Sequence, residues 1–311
     1  MKYNLLGKTD LRVSCLSYGA SPLGSVFGPV REDDGIATVH AALDCGINLI
    51  DVSPFYGLTK AETLLGKALK TISRDRYYLS TKVGRYGNEA KDFDFSAKRV
   101  IASVDESLAR MGLDYVDLIQ CHDIEFGSLE QIIHETIPAL FKLRDTGKVR
   151  YIGVTGLPLK IFREVVTHTH IDVILSYCRY ALNDSSLTQL IPPLKQKGVG
   201  IISASPLSMG LLSDQGPPTW HPAPADIRAA CAKAVKHCQD RGANISKLAL
   251  QYSLANTDIA TTLVGTAKEQ NIRTNAQWAD EPMDQQLLAE VLGILQPVQG
   301  KSWPSGRSEN N

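Results

Sequence analysis

Four side chains able to move or hold protons stand at, or just past, the ends of three short apolar runs. Leu49 and Ile50 lead into Asp51, and Tyr56 follows five residues later, beyond Pro54, in a loop that turns at Gly57. Tyr78-Leu-Ser-Thr leads to Lys82, and Val116-Asp-Leu-Ile-Gln-Cys leads to His122. A phenol, with an ordinary pKa of about 10, is a poor acid or base at pH 7. A neighbouring ammonium favours the phenolate, so Lys82 is expected to bring Tyr56 below that value. A carboxylate from Asp51 would keep the lysine charged and in place, and the His122 imidazole could hydrogen-bond the reacting oxygen. The set reads as the proton-handling half of a nicotinamide-dependent oxidoreductase. Singly, each residue fits a plainer role: Asp51 a cap or ion pair, Lys82 a solvated cation, His122 a structural histidine, Tyr56 packing. Together, at successive strand ends, they point to chemistry.

The elements that must position them follow from the alternation of patterns. Eight strand-like apolar runs occur: 15–20, 48–52, 77–83, 115–121, 149–154, 173–177, 199–204 and 260–264. Helix-like segments separate them, near 34–43, 60–69, 96–111, 159–166, 187–197, 225–240, 246–255 and 268–278. In one, Val100, Val104, Leu108 and Met111 recur on a single helical face. Another starts at Ser128 with the capping pattern Ser-Leu-Glu-Gln, and Pro138 should kink or split it. Eight strand–helix units over about 250 residues imply an α/β fold of the (β/α)8 TIM-barrel type, with the active site at the C-terminal strand ends. The rival doubly wound sheet would carry a GxGxxG turn after its first strand. Leu16-Ser-Tyr-Gly-Ala-Ser-Pro-Leu-Gly24 has none.

Before the first barrel strand, Gly7-Lys-Thr-Asp10 between apolar pieces predicts a β-hairpin. The stretch 205–225, with prolines at 206, 217, 218, 222 and 224, predicts a lid or binding loop after strand seven. No composition break divides the chain, so residues 1–311 are expected to form one domain, with a trailing tail from about 297.

Hydrophobic residues make up 43% of the 311 and charged residues 21%, enough apolar material for a full core. Lys plus Arg and Asp plus Glu both total 33, so the net charge is zero, which argues against nucleic acid or an anionic membrane as the main partner. The N-terminus lacks the apolar stretch of a signal peptide, and no run approaches the roughly 20 residues of a membrane span. The six cysteines are scattered, without CxxC pairs or zinc spacing, as expected of free thiols in the cytosol.

Asp51 through Tyr56-Gly57, Ser80-Thr-Lys82, Asp114-Tyr-Val-Asp-Leu118 leading to His122, Ile152-Gly-Val154 and Ser205-Pro-Leu207 together resemble the aldo-keto reductases along almost the whole chain. The resemblance implies a nicotinamide cofactor and a catalytic tetrad of Asp51, Tyr56, Lys82 and His122. It also implies cofactor contacts from Thr155, from Ser205, Leu207, Met209 and Gly210, and from Gly265, Thr266, Asn271 and Asn275. Three positions depart from the family pattern: Thr155-Gly156 stands where a Ser-Asn pair is common, Tyr177 where a Gln is common, and Ala204 where an aromatic commonly stacks on the nicotinamide. NADP-linked members present a Lys and an Arg where this chain has Gly265 and Asn271. Losing two charge-assisted bonds of about 1.5–3 kcal/mol each to a 2′-phosphate favours NAD.

The segments 20–29, 121–129 and 204–212 running on to Trp220-His-Pro222 are similar to members that oxidise a sugar at its anomeric carbon, which implies a small-molecule sugar substrate. Three other readings were weighed. A Schiff-base aldolase on Lys82 leaves the Tyr56 spacing unexplained, and a regulatory subunit leaves the tetrad unexplained. A metal hydrolase lacks a second histidine at ligand spacing from His122, so no metal is expected.

Overall fold

Each apolar run has become a strand, and eight of these strands close on themselves in a computed structural model that describes residues 1–311. An antiparallel hairpin, β1 (Tyr3–Leu5) and β2 (Arg12–Ser14), comes first. The barrel strands are β3 (Leu16–Gly19), β4 (Leu49–Asp51), β5 (Tyr78–Val83), β6 (Val116–Cys121), β7 (Val149–Gly156), β8 (Val173–Tyr177), β9 (Gly200–Ala204) and β10 (Thr261–Gly265). All neighbours are parallel, and β10 pairs with both β9 and β3, which closes the ring. The architecture is the expected TIM barrel.

Helices cover the outside: α1 (Glu32–Asp44), α2 (Lys60–Leu69), α3 (Ala97–Met111), α4 (Leu129–Gln131), α5 (Ile137–Asp145), α6 (Leu159–His168), α7 (Ile191–Lys197), α8 (Ala225–Asp240), α9 (Ile245–Ala255), α10 (Glu269–Asp280) and α11 (Gln285–Leu295). α3 shows the local logic. Ser96 caps it by accepting from the Arg99 amide, Val100, Val104, Leu108 and Met111 are buried, and Gly112 ends it at φ 69°. Pro138, having no N–H, cannot bond the carbonyl four residues back. The helix there runs from α4 through a π turn at Ile132–Thr136 into α5. No helix is long and apolar enough to cross a membrane.

The main apolar cluster lies between strands and helices, with Phe162, Leu65, Ile50 and Ile119 among its fully buried members. The hairpin plugs the N-terminal end of the barrel: Leu6, Leu11 and Val13 pack with Leu49, Leu118, Val173 and Ile202. The opposite end is thereby left to the loops that follow the strands.

Two features differ from expectation. α11 had no counterpart among the expected helices, although Asp284 caps it by accepting from Leu287. The residues from about 297 do not trail. Val298 and Trp303 are buried against α8 and α11, and Asn310 is only 4% exposed. The reason is polar as much as apolar, because this segment is bonded to the turn after β6: the Arg307 amide donates to the Glu125 carbonyl at 2.9 Å.

Candidate active site

The strand register brings the expected residues together. β4 pairs with β5 so that Asp51 lies beside Ser80, and β5 pairs with β6 so that Lys82 lies beside Gln120. Lys82, 1% exposed, is bonded to Asp51 Oδ1, donates to the Val52 carbonyl at 2.9 Å and to Tyr56 Oη at 3.2 Å. The other Asp51 oxygen accepts from Ser80 Oγ at 2.9 Å and Gln120 Nε2 at 3.1 Å. A buried ion pair is costly unless its remaining lone pairs and protons are met. Here Ser80, Gln120 and the Val52 carbonyl meet them, so the ammonium is held aimed at the phenol.

Tyr56 is placed by its loop. The 3₁₀ turn Ser21–Gly24 after β3 packs against the Tyr56–Gly57 backbone so closely that a Cβ on Gly24 would lie 2.6 Å from the Tyr56 carbonyl oxygen. His122, 3% exposed, completes the group. Its ring stands edge-on to Tyr56 with centroids 5.7 Å apart, and its Nδ1 meets Ser53 Oγ at 3.0 Å. Ser53 Oγ also accepts from the Phe55 amide at 3.1 Å, which leaves its own proton for Nδ1. On that assignment the His122 proton sits on Nε2, as a donor. Burial pushes the His122 pKa down to about 3, so the ring is neutral at physiological pH.

Burial also decides the phenol. The expectation that Lys82 brings Tyr56 below its ordinary value is not met. Desolvation raises the Tyr56 pKa, and Lys82 only offsets part of that rise. Lys82 itself loses to burial but gains more from Asp51 and Tyr56, so its pKa rises and it stays charged.

Sequence reading missed several members of the site. Ser53, Ser80 and Gln120 carry no signal in a β pattern. Asp123, at φ 48°, pairs with Arg85, whose guanidinium lies 3.8 Å over the Phe55 ring. Burial works against the Asp123 charge, but the Arg85 guanidinium and the Thr155 hydroxyl hold its pKa low; His122, being neutral, does not contribute a charge to this. Thr155, expected to contact a cofactor, accepts from the Asp123 amide at 2.8 Å and donates to Asp123 Oδ1 at 3.1 Å. One lone pair of its hydroxyl stays free to accept a further bond.

The other expected cofactor residues lie across the mouth. After β9, Leu207 is near the right-handed helical region and Ser208 and Met209 take φ 46° and 52°; the Ser208 and Gly210 amides donate back to the Ser205 and Leu207 carbonyls at 2.8 and 3.0 Å, which fixes this turn. Ser205 at φ 60° and Gly210 at φ 100° flank that run. Beyond β10, Thr266 is anchored through its carbonyl to Tyr18 Oη at 2.9 Å, and Asn271 Nδ2 donates to Thr266 Oγ1 at 3.2 Å. Asn275 follows Asn271 by one turn of α10 and is half-buried; Gly265 is exposed. Arg273 is paired with Glu269 at 2.7 Å on the exposed face of α10, and Lys268 stands at the start of that helix.

Comparison with known proteins agrees with this arrangement. Residues 15–296 match the aldo/keto reductase family. The chain is 55% identical to L-galactose dehydrogenase of Arabidopsis thaliana, covering 98% of each chain. It is 28% identical to D-threo-aldose 1-dehydrogenase of a Pseudomonas species, over 90% of this chain and 94% of that one. Among solved structures, an aldo-keto reductase from Bacillus halodurans in its holo form superposes with a TM-score of 0.80 at 26% identity, covering 100% of this chain and 99% of the other.

Proposed function

Because the chain belongs to the aldo/keto reductase family, we propose that it is an NAD-linked dehydrogenase that oxidises the anomeric carbon of L-galactose to the galactonolactone, a cytosolic step towards ascorbate. The observation that carries the chemistry is the Lys82 Nζ to Tyr56 Oη contact at 3.2 Å inside a buried, fully bonded ion pair. The sugar comes from the 55% identity to the Arabidopsis enzyme over 98% of both chains.

The nicotinamide, when bound, supplies the hydride acceptor. This chain's residues handle the proton. The anomeric hydroxyl gives its proton to Tyr56 Oη, which must be in its phenolate form to take it. Lys82 stabilises that form, and Asp51 keeps Lys82 charged and aimed. His122 Nε2–H donates to the same substrate oxygen and orients it; a neutral imidazole suits this, since it does not compete with Tyr56 as an acid. Ser205, Leu207, Met209 and Gly210 would hold the pyrophosphate, and Thr266, Asn271 and Asn275 the adenosine end.

The test is a panel of reducing sugars offered with NAD and with NADP, following the absorbance of the reduced cofactor. L-Galactose with NAD should give the highest kcat/KM. A clear preference for another aldose would keep the family chemistry and overturn the substrate, and turnover only with NADP would overturn the cofactor.

A further inference from the structure

A buried carboxyl that the mechanism does not use sits three residues past His122. Glu125 is 0% exposed, in the 3₁₀ turn after β6. Its Oε1 accepts from the Leu157 amide at 3.2 Å, from Tyr177 Oη at 3.2 Å and from Ser305 Oγ at 2.9 Å. Its backbone carbonyl accepts from the Arg307 amide and from Asn310 Nδ2, both at 2.9 Å. Asn310 Nδ2 also donates to the Gly127 carbonyl at 3.1 Å. The packing leaves no slack: a Cβ on Gly306 would lie 2.3 Å from the Glu125 carbonyl oxygen, and one on Gly156 would lie 2.6 Å from Glu125 Oε2. One residue thus joins the C-terminal segment, the end of β7 and the last residue of β8.

Tyr177 is where this linkage reaches the mouth. It is half-buried and pairs in register with Ala204, whose small side chain leaves the neighbouring strand end low. The tetrad stands on β4, β5 and β6, and the expected adenosine residues follow β10. Around the ring, one route between them crosses β3, and there the turn Ser21–Gly24 is pressed against the Tyr56–Gly57 backbone. The other route crosses the ends of β9, β8 and β7, and Ala204 and Tyr177 stand at the first two.

We propose that Glu125 is a positioning residue through which the docked C-terminal segment holds Tyr177, and that Tyr177 forms part of the face against which the nicotinamide end of the cofactor rests. This rests on the NAD reading above. Burial, with the Asp123 charge adding to it, pushes the Glu125 carboxyl up to about 8, so at pH 7 it is a neutral acid. A glutamine can stand in for that form. Asn310 and Gly306 do not bond Tyr177 and act on it through Glu125, whereas the Ser305 hydroxyl lies within hydrogen-bond reach of both Glu125 and Tyr177.

The experiment measures NAD dissociation by calorimetry on full-length protein, with thermal melts as the control for folding. Tyr177→Leu and Asn310→Ala should each weaken NAD by about 3–10-fold, the range expected for losing a hydrogen bond or its ordering effect. The double variant should be no weaker than the weaker single by more than about 2-fold, since both break one linkage. Glu125→Gln should stay within about 2-fold of the parent while Glu125→Leu falls with Asn310→Ala, because only the glutamine keeps an oxygen for Tyr177 and Ser305. If Asn310→Ala does not fold, Asn310→Leu, which keeps the side-chain volume and removes the amide donor, takes its place. Unchanged NAD affinity in the folded C-terminal variants, or additive losses in the double variant, would overturn this linkage and leave the NAD reading intact. No NAD binding by the unaltered chain would overturn both.

Discussion

Gly57 and Gly24 meet backbone to backbone: a Cβ on Gly57 would come 2.1 Å from the Gly24 carbonyl oxygen. Gly57 also sits at φ 63°, where a side chain is strained. This contact sets the height of the loop that carries Tyr56 above Lys82. Gly57→Ala should therefore lower kcat at least about 10-fold while the rest of the barrel still folds, with a stability loss of about 1–3 kcal/mol. Leu58→Ala, exposed and next door, is the control. Parental turnover from a folded Gly57→Ala protein would show that the contact does not place the phenol.

Tyr56→Phe removes the group assigned to take the proton and little else. Turnover should fall about 10²–10⁴-fold, with NAD affinity nearly unchanged. A rate within a few-fold of the parent would remove Tyr56 from the mechanism.

Ser53→Ala tests the tautomer of His122. Without the 3.0 Å contact at Nδ1, the ring can place its proton on either nitrogen. A fall in kcat of about 2–10-fold, with unchanged NAD dissociation and a normal melt, is expected for one lost orienting bond. A change in NAD affinity alone would assign Ser53 a different role.

The proposed preference for NAD is tested at Gly265 and Asn271, beyond β10. Gly265→Lys with Asn271→Arg should raise kcat/KM for NADP relative to NAD, since each restored contact to a 2′-phosphate is worth about 1.5–3 kcal/mol. An unmoved ratio in the double variant would mean that discrimination lies elsewhere.

What was legible beforehand was whatever leaves a periodic or punctuated trace. A charge ending an apolar run marked Asp51, Lys82 and His122, and alternating periods gave the barrel to within two residues at each strand end. Residues acting through long-range contacts left none. Ser80 and Gln120 look like ordinary strand polars until register sets them on Asp51. Glu125, between Ile124 and Phe126, reads as a solvated loop acid, and the segment around Asn310 reads as a polar tail. Each is explained only by the other, across 185 residues of chain. The direction of the Tyr56 shift was misjudged because one neighbour's charge can be read from sequence and the extent of burial cannot. α11 is a different case: the Asp284 cap and the apolar face of Leu287, Val291 and Leu295 were present in the sequence and had simply not been read.

The pH profile joins these elements. The proposed oxidation requires the Tyr56 phenolate, and burial raises its pKa while Lys82 pulls it back. The fraction in the active form thus increases as pH rises, and the oxidative kcat should climb through the neutral and alkaline range. His122, pushed down to about 3, stays neutral throughout and should contribute no limb near 6.5. Lys82→Met removes the group that opposes burial, so the rising limb should move to higher pH or flatten. Asp51 would then be a buried carboxylate without its cation, and a thermal melt must show that the variant is folded. Asp51→Asn with Lys82→Met removes that stray charge and should restore stability but not the limb. A pH profile identical to the parent's in either folded variant would show that Lys82 does not govern the phenol, and the proton path assigned to Tyr56 would fail with it.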